Sequence, residues 1–454
     1  MAKEKLFLIF VLVFGLGLRL INLNQSFWLD ETSQAHLSSL SLFQIWSGRG
    51  GDFHPPLFYF LAHFWMQFSR SETWLRLLPV SFGAANIYVV YIFARKHFSQ
   101  GLLTSFLFAI APFHIYYSQE FRSYSLLCLL GTLAMYFLLS KKFSSLALTN
   151  LLLLYTHYSS VFLLLSQVVY LVIYERKSLS KYTIQNLLFI LLYLPWLPQF
   201  LSQLKAGTSI DVYLPGWRDV LSISPLKALP VLIFKLVAGR ITILSRPLYG
   251  IYIAFVFGVV FAALYLAKSL HKRFLFVWIF VPVFTMMAVS LFLPQTQPFR
   301  LIYVLPALVF LFSSAISRYP KMFLTFFFYI FIFGSLLYFT RPRLQREQWR
   351  QAITFLQSQN LPVLVKFADK FAPFYWYSPS LAITPVISSY PAKPDQVANI
   401  LSQITSPQVL LLQYLTDLTD PDRQVDINLQ DLGYQNTRTY NFEGVGFIEK
   451  YQRP

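Results

Sequence analysis

The chain has 454 residues, of which 56% are hydrophobic and only 12% charged. A soluble domain carries about 25% charged residues, so the composition excludes an ordinary soluble protein and specifies a polytopic helical membrane protein. The net charge is +18, from 37 basic and 19 acidic residues, but the bases form short clusters rather than one dense run, which sets nucleic acid aside as a partner.

A span needs about 20 apolar residues to cross hydrocarbon. The apolar pattern predicts spans at 6–23, 77–94, 101–118, 123–140, 146–156, 158–174, 183–203, 247–267, 274–293, 300–317 and 322–339. The first follows Lys3 and Lys5 without a small-residue cleavage site and reads as an uncleaved span. Residues 55–68 are apolar but short, which suits a helix lying along the interface. The stretch 146–174 can be one long helix or two short ones broken at Thr156-His157-Tyr158. Charge favours two. The N-terminal tail and the loops at 95–97, 141–142, 175–181, 268–273 and 318–321 then share one side, with 14 Lys or Arg and two acids, Glu4 and Glu175. The other seven acids before residue 340 fall on the opposite side. The positive-inside rule then gives eleven spans, N-terminus in and C-terminus out.

Residues 341–454 differ in character, with ten of the 19 acids. Val363–Phe367, Val409–Tyr414 and Gly444–Glu449 read as strands, and Gln348–Gln359 and Asp395–Ile404 as amphipathic helices. The expected organisation is a transmembrane domain over 1–340, with a first outer loop at 24–76, and a small extracytoplasmic α/β domain over 341–454. The single cysteine, Cys128, permits neither an intrachain disulfide nor a cysteine-based zinc site.

The polar residues that need a reason gather on the outer side of this topology. Asp30 and Glu31 stand together just beyond the first span, where acids are costly. They read either as a general base with a neighbour that perturbs it, or as a capped start to a helix over Thr32–Ser38. Asp52 and His54 offer an oxygen and a nitrogen donor for a metal, or a loop in which Pro55-Pro56 opens a helix. Glu120 and Arg122 suit a sugar or phosphate, and Tyr116 and Tyr117 suit stacking on a sugar. An interfacial aromatic belt explains the tyrosines but not the charges. His157 interrupts an apolar run, and a lone histidine there is usually a packing residue. Gln297 and Arg300 open the tenth span, where a guanidinium fits a lipid phosphate or snorkels to the interface. Arg341, Arg343 and Arg346 read as headgroup contacts. There is no Gly-Lys-Ser/Thr phosphate loop, no His-Glu-x-x-His and no cytoplasmic domain large enough to bind a nucleotide sugar, so ATP-driven transport and cytosolic sugar-nucleotide use are disfavoured.

Taken in order, Phe27-Trp28-Leu29-Asp30-Glu31, Asp52-Phe53-His54-Pro55-Pro56-Leu57, Leu75-Arg76-Leu77-Leu78-Pro79 with Phe82-Gly83, Pro112-Phe-His-Ile-Tyr-Tyr-Ser-Gln-Glu120 with Arg122 and Tyr124, Tyr155-Thr-His-Tyr158 and Arg300-Leu-Ile-Tyr-Val-Leu-Pro306 resemble a known family. They are similar to GT-C glycosyltransferases of family 39 type, the protein mannosyltransferase and lipid-A aminoarabinose transferase group, and within it the RgtA/B/C/D-like bacterial branch. The resemblance runs from residue 1 to about 310 and does not include the tail. It implies an inner-membrane enzyme with an extracytoplasmic site. The donor would be a sugar on a polyprenyl phosphate and the acceptor lipid A, another glycolipid, a polysaccharide or a protein. Asp30 would be the base. A divalent metal would sit at Asp52 and His54, although the lysine-proline version of that motif is here His54-Pro55. Physically, a lipid phosphate is already a good leaving group, so the enzyme has only to deprotonate the acceptor and neutralise the departing phosphate. A single displacement inverts the anomeric centre. The rivals are a flippase or transporter for lipid-linked sugars and a polysaccharide polymerase or ligase using a diphosphate-linked donor.

Overall fold

The computed structural model describes residues 2–48, 53–208, 216, 220, 222–269, 271–293 and 295–453. The chain divides into two compact units. The first comprises Met1–Leu23, Ser38–Lys205 and Leu221–Leu344, and the second Asn24–Leu37, Ala206–Val220 and Gln345–Pro454.

The first unit is helical and apolar. Six described helical runs are long and apolar enough to cross a membrane: Glu72–His97, Arg176–Thr208, Arg246–Leu266, Lys272–Val289, Pro298–Arg318 and Pro320–Thr340. Shorter apolar helices run over Leu57–Met66, Tyr124–Leu139, Phe143–Thr156 and Ser160–Tyr174. The break at His157 is therefore real, because 143–156 and 160–174 are separate helices. Leu187, Leu188 and Leu191 stand more than half exposed on the 176–208 run, a surface that hydrocarbon rather than water would cover. The short helix Leu57–Met66 is present and carries an aromatic clasp. Trp65 and Trp74 stack 4.6 Å apart, and each indole N–H donates to the other's carbonyl at 2.9 and 3.1 Å.

The 101–118 segment departs from the expectation of one straight span. It forms two helices, Gly101–Ala109 and Pro112–Ser118, bent by 61°. Pro112 at the first turn of the second helix cannot donate a backbone N–H, so the ladder stops there and the Ala109 carbonyl needs another donor. Arg19, fully buried on the helix Ala2–Leu20, supplies it: Nη1 donates to the Ala109 carbonyl at 3.0 Å and to the Gly15 carbonyl at 2.6 Å. Its Nη2 donates to His114 Nδ1 at 2.7 Å and its Nε to Ser118 Oγ at 3.3 Å. Gly83, on the 72–97 helix, lies so close to this bend that an added Cβ would stand 2.8 Å from the Ser118 Cβ. A second polar node ties three helices together, with Asn150 Nδ2 donating to Gln167 Oε1 and Asn186 Oδ1, both at 2.8 Å.

The second unit is α/β. Its five strands are β1 (Val363–Val365), β2 (Ile383–Pro385), β3 (Gln408–Leu412), β4 (Gln435–Phe442) and β5 (Gly446–Gln452), in the order β2-β1-β3-β5-β4. The first three are parallel, and β5 pairs antiparallel with both β3 and β4. Strand alternation puts Val363, Val365, Leu410 and Leu412 on one face with Trp349, Ile353 and Leu356 of the helix Trp349–Gln359. It puts Leu364, Val409 and Leu411 on the other, against Val397 and Leu401 of Pro394–Ser402 and Val425 and Leu429 of Gln424–Asp431. The predicted strands and both predicted helices are present within a few residues; β2, β4 and the 424–431 helix carry no clear period in the sequence.

Segment 24–37 is built into this unit. The Arg350 guanidinium donates to the Asn24 carbonyl, and Ser26 Oγ donates to the Glu347 carbonyl at 2.6 Å. The Phe27 N–H donates to the Tyr377 hydroxyl, and Thr32 Oγ1 donates to the Phe371 carbonyl at 2.9 Å. Leu29 packs on the Trp349 face of the sheet.

Candidate functional site

The predicted site residues fall in both units. Asp30 and Glu31 belong to the second; His54, Tyr117, Glu120, Arg122, His157, Gln297 and Arg300 belong to the first. Asp52 lies outside the described residues.

Asp30 and Glu31 occupy the first turn of a helix that runs Leu29–Ser38, three residues earlier than the expected start. Neither is the cap, since the Glu31 and Thr32 N–H groups both bond the Trp28 carbonyl at 3.0 Å. Carboxylates in a first turn face the positive end of the helix dipole. Glu31 is fully buried. The carboxylate whose titration stands out is one the sequence reading passed over, Glu347. It accepts from Trp349 Nε1 at 2.6 Å and from the Tyr414 hydroxyl at 3.2 and 3.4 Å. Burial pushes Glu347 up to about 7, opposed by those two donors and raised further by Asp30, while the Leu29 N–H holds it down. Arg346, read as a headgroup contact, is instead 6% exposed inside this unit, its N–H on Gln25 Oε1 at 2.9 Å.

In the first unit, most of the predicted residues converge. Arg122 Nη2 lies 3.4 Å from His54 Nε2, and a guanidinium only donates, so this nitrogen accepts. The His54 and His157 rings stand 5.4 Å apart. Arg122 lies over the Tyr124 ring and Arg300 over Phe299, at 6.0 and 5.7 Å, and the two rings are 4.7 Å apart. Tyr117 touches both, at 5.3 and 5.9 Å. The 3-10 turn Pro298–Val304 is pinned to the His157 break, because Ser159 Oγ donates to the Arg300 carbonyl at 2.7 Å and Tyr303 donates to the Ser159 carbonyl at 2.8 Å. The Ser159 N–H bonds His157 Nδ1 at 3.1 Å, which leaves the proton on Nε2. That Nε2 is buried and has no hydrogen-bond partner among the described residues. The His54 ring stands beside this imidazole, Arg122 reaches His54, and the Arg300 carbonyl is bonded to Ser159, two residues on. A buried N–H donor among three basic side chains is an arrangement that holds an anion. Glu120 is buried near Tyr117. Gln297 sits at the start of the 3-10 turn, where its carbonyl takes the Arg300 N–H at 3.1 Å.

The sequence reading did not single out Arg240. Its Nη1 donates to the Tyr116 hydroxyl at 3.0 Å, and its guanidinium lies 4.9 Å over that ring. Of the two residues that the sequence offers to a metal, Asp52 lies outside the described residues and His54 has Nε2 3.4 Å from the Arg122 guanidinium; the described residues contain no group of three metal-ligating side chains.

The fold of the chain is shared with solved structures of two glycosyltransferases, ArnT and AftD. ArnT from Cupriavidus metallidurans in the apo state matches with a TM-score of 0.59 at 12% identity, over 99% of this chain and 98% of that one. ArnT bound to undecaprenyl phosphate matches at 0.56 and 13%, with the same coverage. The arabinofuranosyltransferase AftD from Mycobacteria matches at 0.51 and 12%, over 99% of this chain but 41% of its own. No family model and no curated protein sequence matches the chain.

Proposed function

We propose that the chain is a membrane glycosyltransferase that moves a sugar from a polyprenyl-phosphate donor to a hydroxyl acceptor on the extracytoplasmic side. The observation that carries this reading is the buried His157 Nε2 donor among His54, Arg122 and Arg300. Its support is the shared fold with ArnT, solved with undecaprenyl phosphate bound. The acceptor oxygen attacks the anomeric carbon, and the carbon–oxygen bond to the lipid phosphate breaks with inversion. Asp30 takes the acceptor's proton. The basic cluster takes up the charge that grows on the departing phosphate monoester, which is where binding energy lowers the barrier. Tyr117, Tyr124 and Phe299 give the sugar or the first isoprene unit an aromatic wall. The acceptor class is lipid A, another glycolipid, a polysaccharide or a protein.

The test compares envelope glycolipids and glycans, by mass spectrometry, from a strain lacking the chain, one complemented with it and one complemented with Asp30→Asn. A glycan that returns with the wild type and not with Asp30→Asn supports the reading. No glycan difference between the deletion and the complemented strain refutes it. Restoration by Asp30→Asn removes Asp30 as base.

A further inference from the structure

At the end of the first unit away from the candidate site, three helix ends gather positive charge. The helical run Pro298–Arg318 opens near the site residue Arg300 and closes on Arg318, 21 residues in all. At 1.5 Å per residue that is about 30 Å, the depth of a bilayer's hydrocarbon. A cavity of about 770 Å³ lies where Arg318 meets the end of the helix Arg246–Leu266 and the start of Lys272–Val289. Tyr265, Lys268, Ser269, Lys272 and Arg318 stand in its wall, and no acid does. Such a volume suits a small ligand or a headgroup. The two acids that the charge pattern puts on this side are engaged elsewhere, Glu4 with Arg95 at 3.5 Å and Glu175 with Lys141 at 2.8 Å. Among the described residues, Lys268, Lys272 and Arg318 have no ion-pair partner. Lys272 Nζ donates to the Tyr265 carbonyl at 3.3 Å, on the negative end of the 246–266 helix. Lys272 and Arg318 also lie over the Phe276 and Tyr319 rings, both at 5.3 Å, contacts that orient the cations without neutralising them.

The cavity continues into an apolar stripe. Ile251, Gly258, Phe261 and Tyr265 are exposed at helical spacing along 246–266. A Cβ on Gly258 would meet nothing, so the stripe is notched midway. Tyr265, 84% exposed at the end of the stripe, stands where aromatic side chains mark the headgroup level. An acyl chain laid along this face brings its phosphate to Lys268 and Arg318.

We propose that this cavity binds the headgroup phosphates of an anionic membrane phospholipid whose acyl chains lie along the 246–266 stripe. Basic pockets between span ends take such headgroups. Free phosphate would satisfy the same cations but would make no use of the stripe. Two phosphodiesters balance three cations better than one, so cardiolipin is the probe. The site is a bilayer's depth from Arg300, and it stands whether or not the chain transfers a sugar.

The full chain, delipidated in detergent, is titrated with cardiolipin and with phosphatidylcholine and read by native mass spectrometry. Each cation beside a lipid phosphate contributes about fivefold, so the three together give a preference for cardiolipin of about 100-fold. Lys268→Gln, Lys272→Gln and Arg318→Gln combined remove the preference, and Arg318→Gln alone lowers it about fivefold. Ser269→Trp blocks the cavity with its charge intact and removes the preference as well. The charge-matched set Arg176→Gln, Lys177→Gln and Lys181→Gln, on the same side of the charge pattern but outside the cavity wall, retains it. Equal affinity of the wild type for the two lipids overturns the proposal. Equal loss in the two triple variants overturns it too, because the cations would then serve topology alone. Retained preference in Ser269→Trp shows that lipid bypasses the cavity, and displacement by millimolar inorganic phosphate at constant ionic strength makes this a site for the free ion; either result overturns the proposal.

Discussion

Lys366, immediately after β1, is the sharpest test of how the second unit is held together. Its ammonium lies 2.9 Å from Asp420 Oδ2 and 2.6 Å from Asp426 Oδ2, and the Lys366 and Asp420 side chains have no exposure at all. Asp420 also receives the Gln424 and Val425 N–H groups, at 2.6 and 3.2 Å, and so caps the 424–431 helix. Asp426 Oδ1 receives Gln413 Nε2 at 2.6 Å and the Tyr451 hydroxyl at 3.1 Å. Lys366→Met preserves volume and leaves two enclosed carboxylates facing each other. Removing one member of a buried ion pair costs about 3–5 kcal/mol. The assay is hydrogen exchange on the full chain in detergent, read at the β1 and β3 amides, which open only when the sheet does. A loss of 3 kcal/mol speeds their exchange by about 100-fold, since about 1.4 kcal/mol is tenfold. Adding Asp426→Asn to Lys366→Met should recover about half of the loss, because Asp420 keeps its two backbone donors. An acceleration under tenfold in Lys366→Met, or no recovery in the double variant, would refute the claim that this trio is a mutually dependent buried unit.

Three further outcomes follow from the packing. Glu347 binds a proton more tightly in the folded chain than the 4.5 of a free carboxyl, so the second unit loses stability as pH rises from about 4.5 to about 7. Relative to Glu347→Gln the loss is about 3 kcal/mol, and exchange of the β1 amides at pH 5 and pH 8 measures it. Arg19→Leu strands the Ala109 carbonyl and His114 at the 61° bend, and a buried unsatisfied group costs about 1–3 kcal/mol; a lowered midpoint of thermal aggregation in detergent is the expected result, and an unchanged one denies Arg19 this role. Gly83→Val presses against Ser118, and overpacking of this kind costs about 1–3 kcal/mol; the same thermal assay detects it, with Gly83→Ala intermediate.

Apolar length and charge segregation made the helical membrane unit legible, and period-two and amphipathic patterns did the same for β1, β3 and β5. The His157 break was readable because a polar triplet interrupts the run. The bend at Ile110–Ala111 was only half readable: Pro112 marks the break locally, but the donor that satisfies the Ala109 carbonyl, Arg19, comes from another helix. Within the site, His54, His157 and Arg300 each had a bland alternative, and only their proximity in space, with Arg122 among them, separates the two readings. Glu347 was hidden differently. It follows a row of arginines and looks like solvated surface, while its unusual environment is made by Trp349, Tyr414 and Leu29, the last of them 318 positions away.

The stitching of segment 24–37 to residues 345–377 has a consequence for how the polypeptide matures. Segment 24–37 leaves the ribosome 326 to 350 residues before its partners Arg350, Tyr377 and Phe371. A nascent chain therefore threads its helices into the bilayer while Asp30 is still unanchored. Segment 24–37 reaches its final setting only after residues 345–377 have been made.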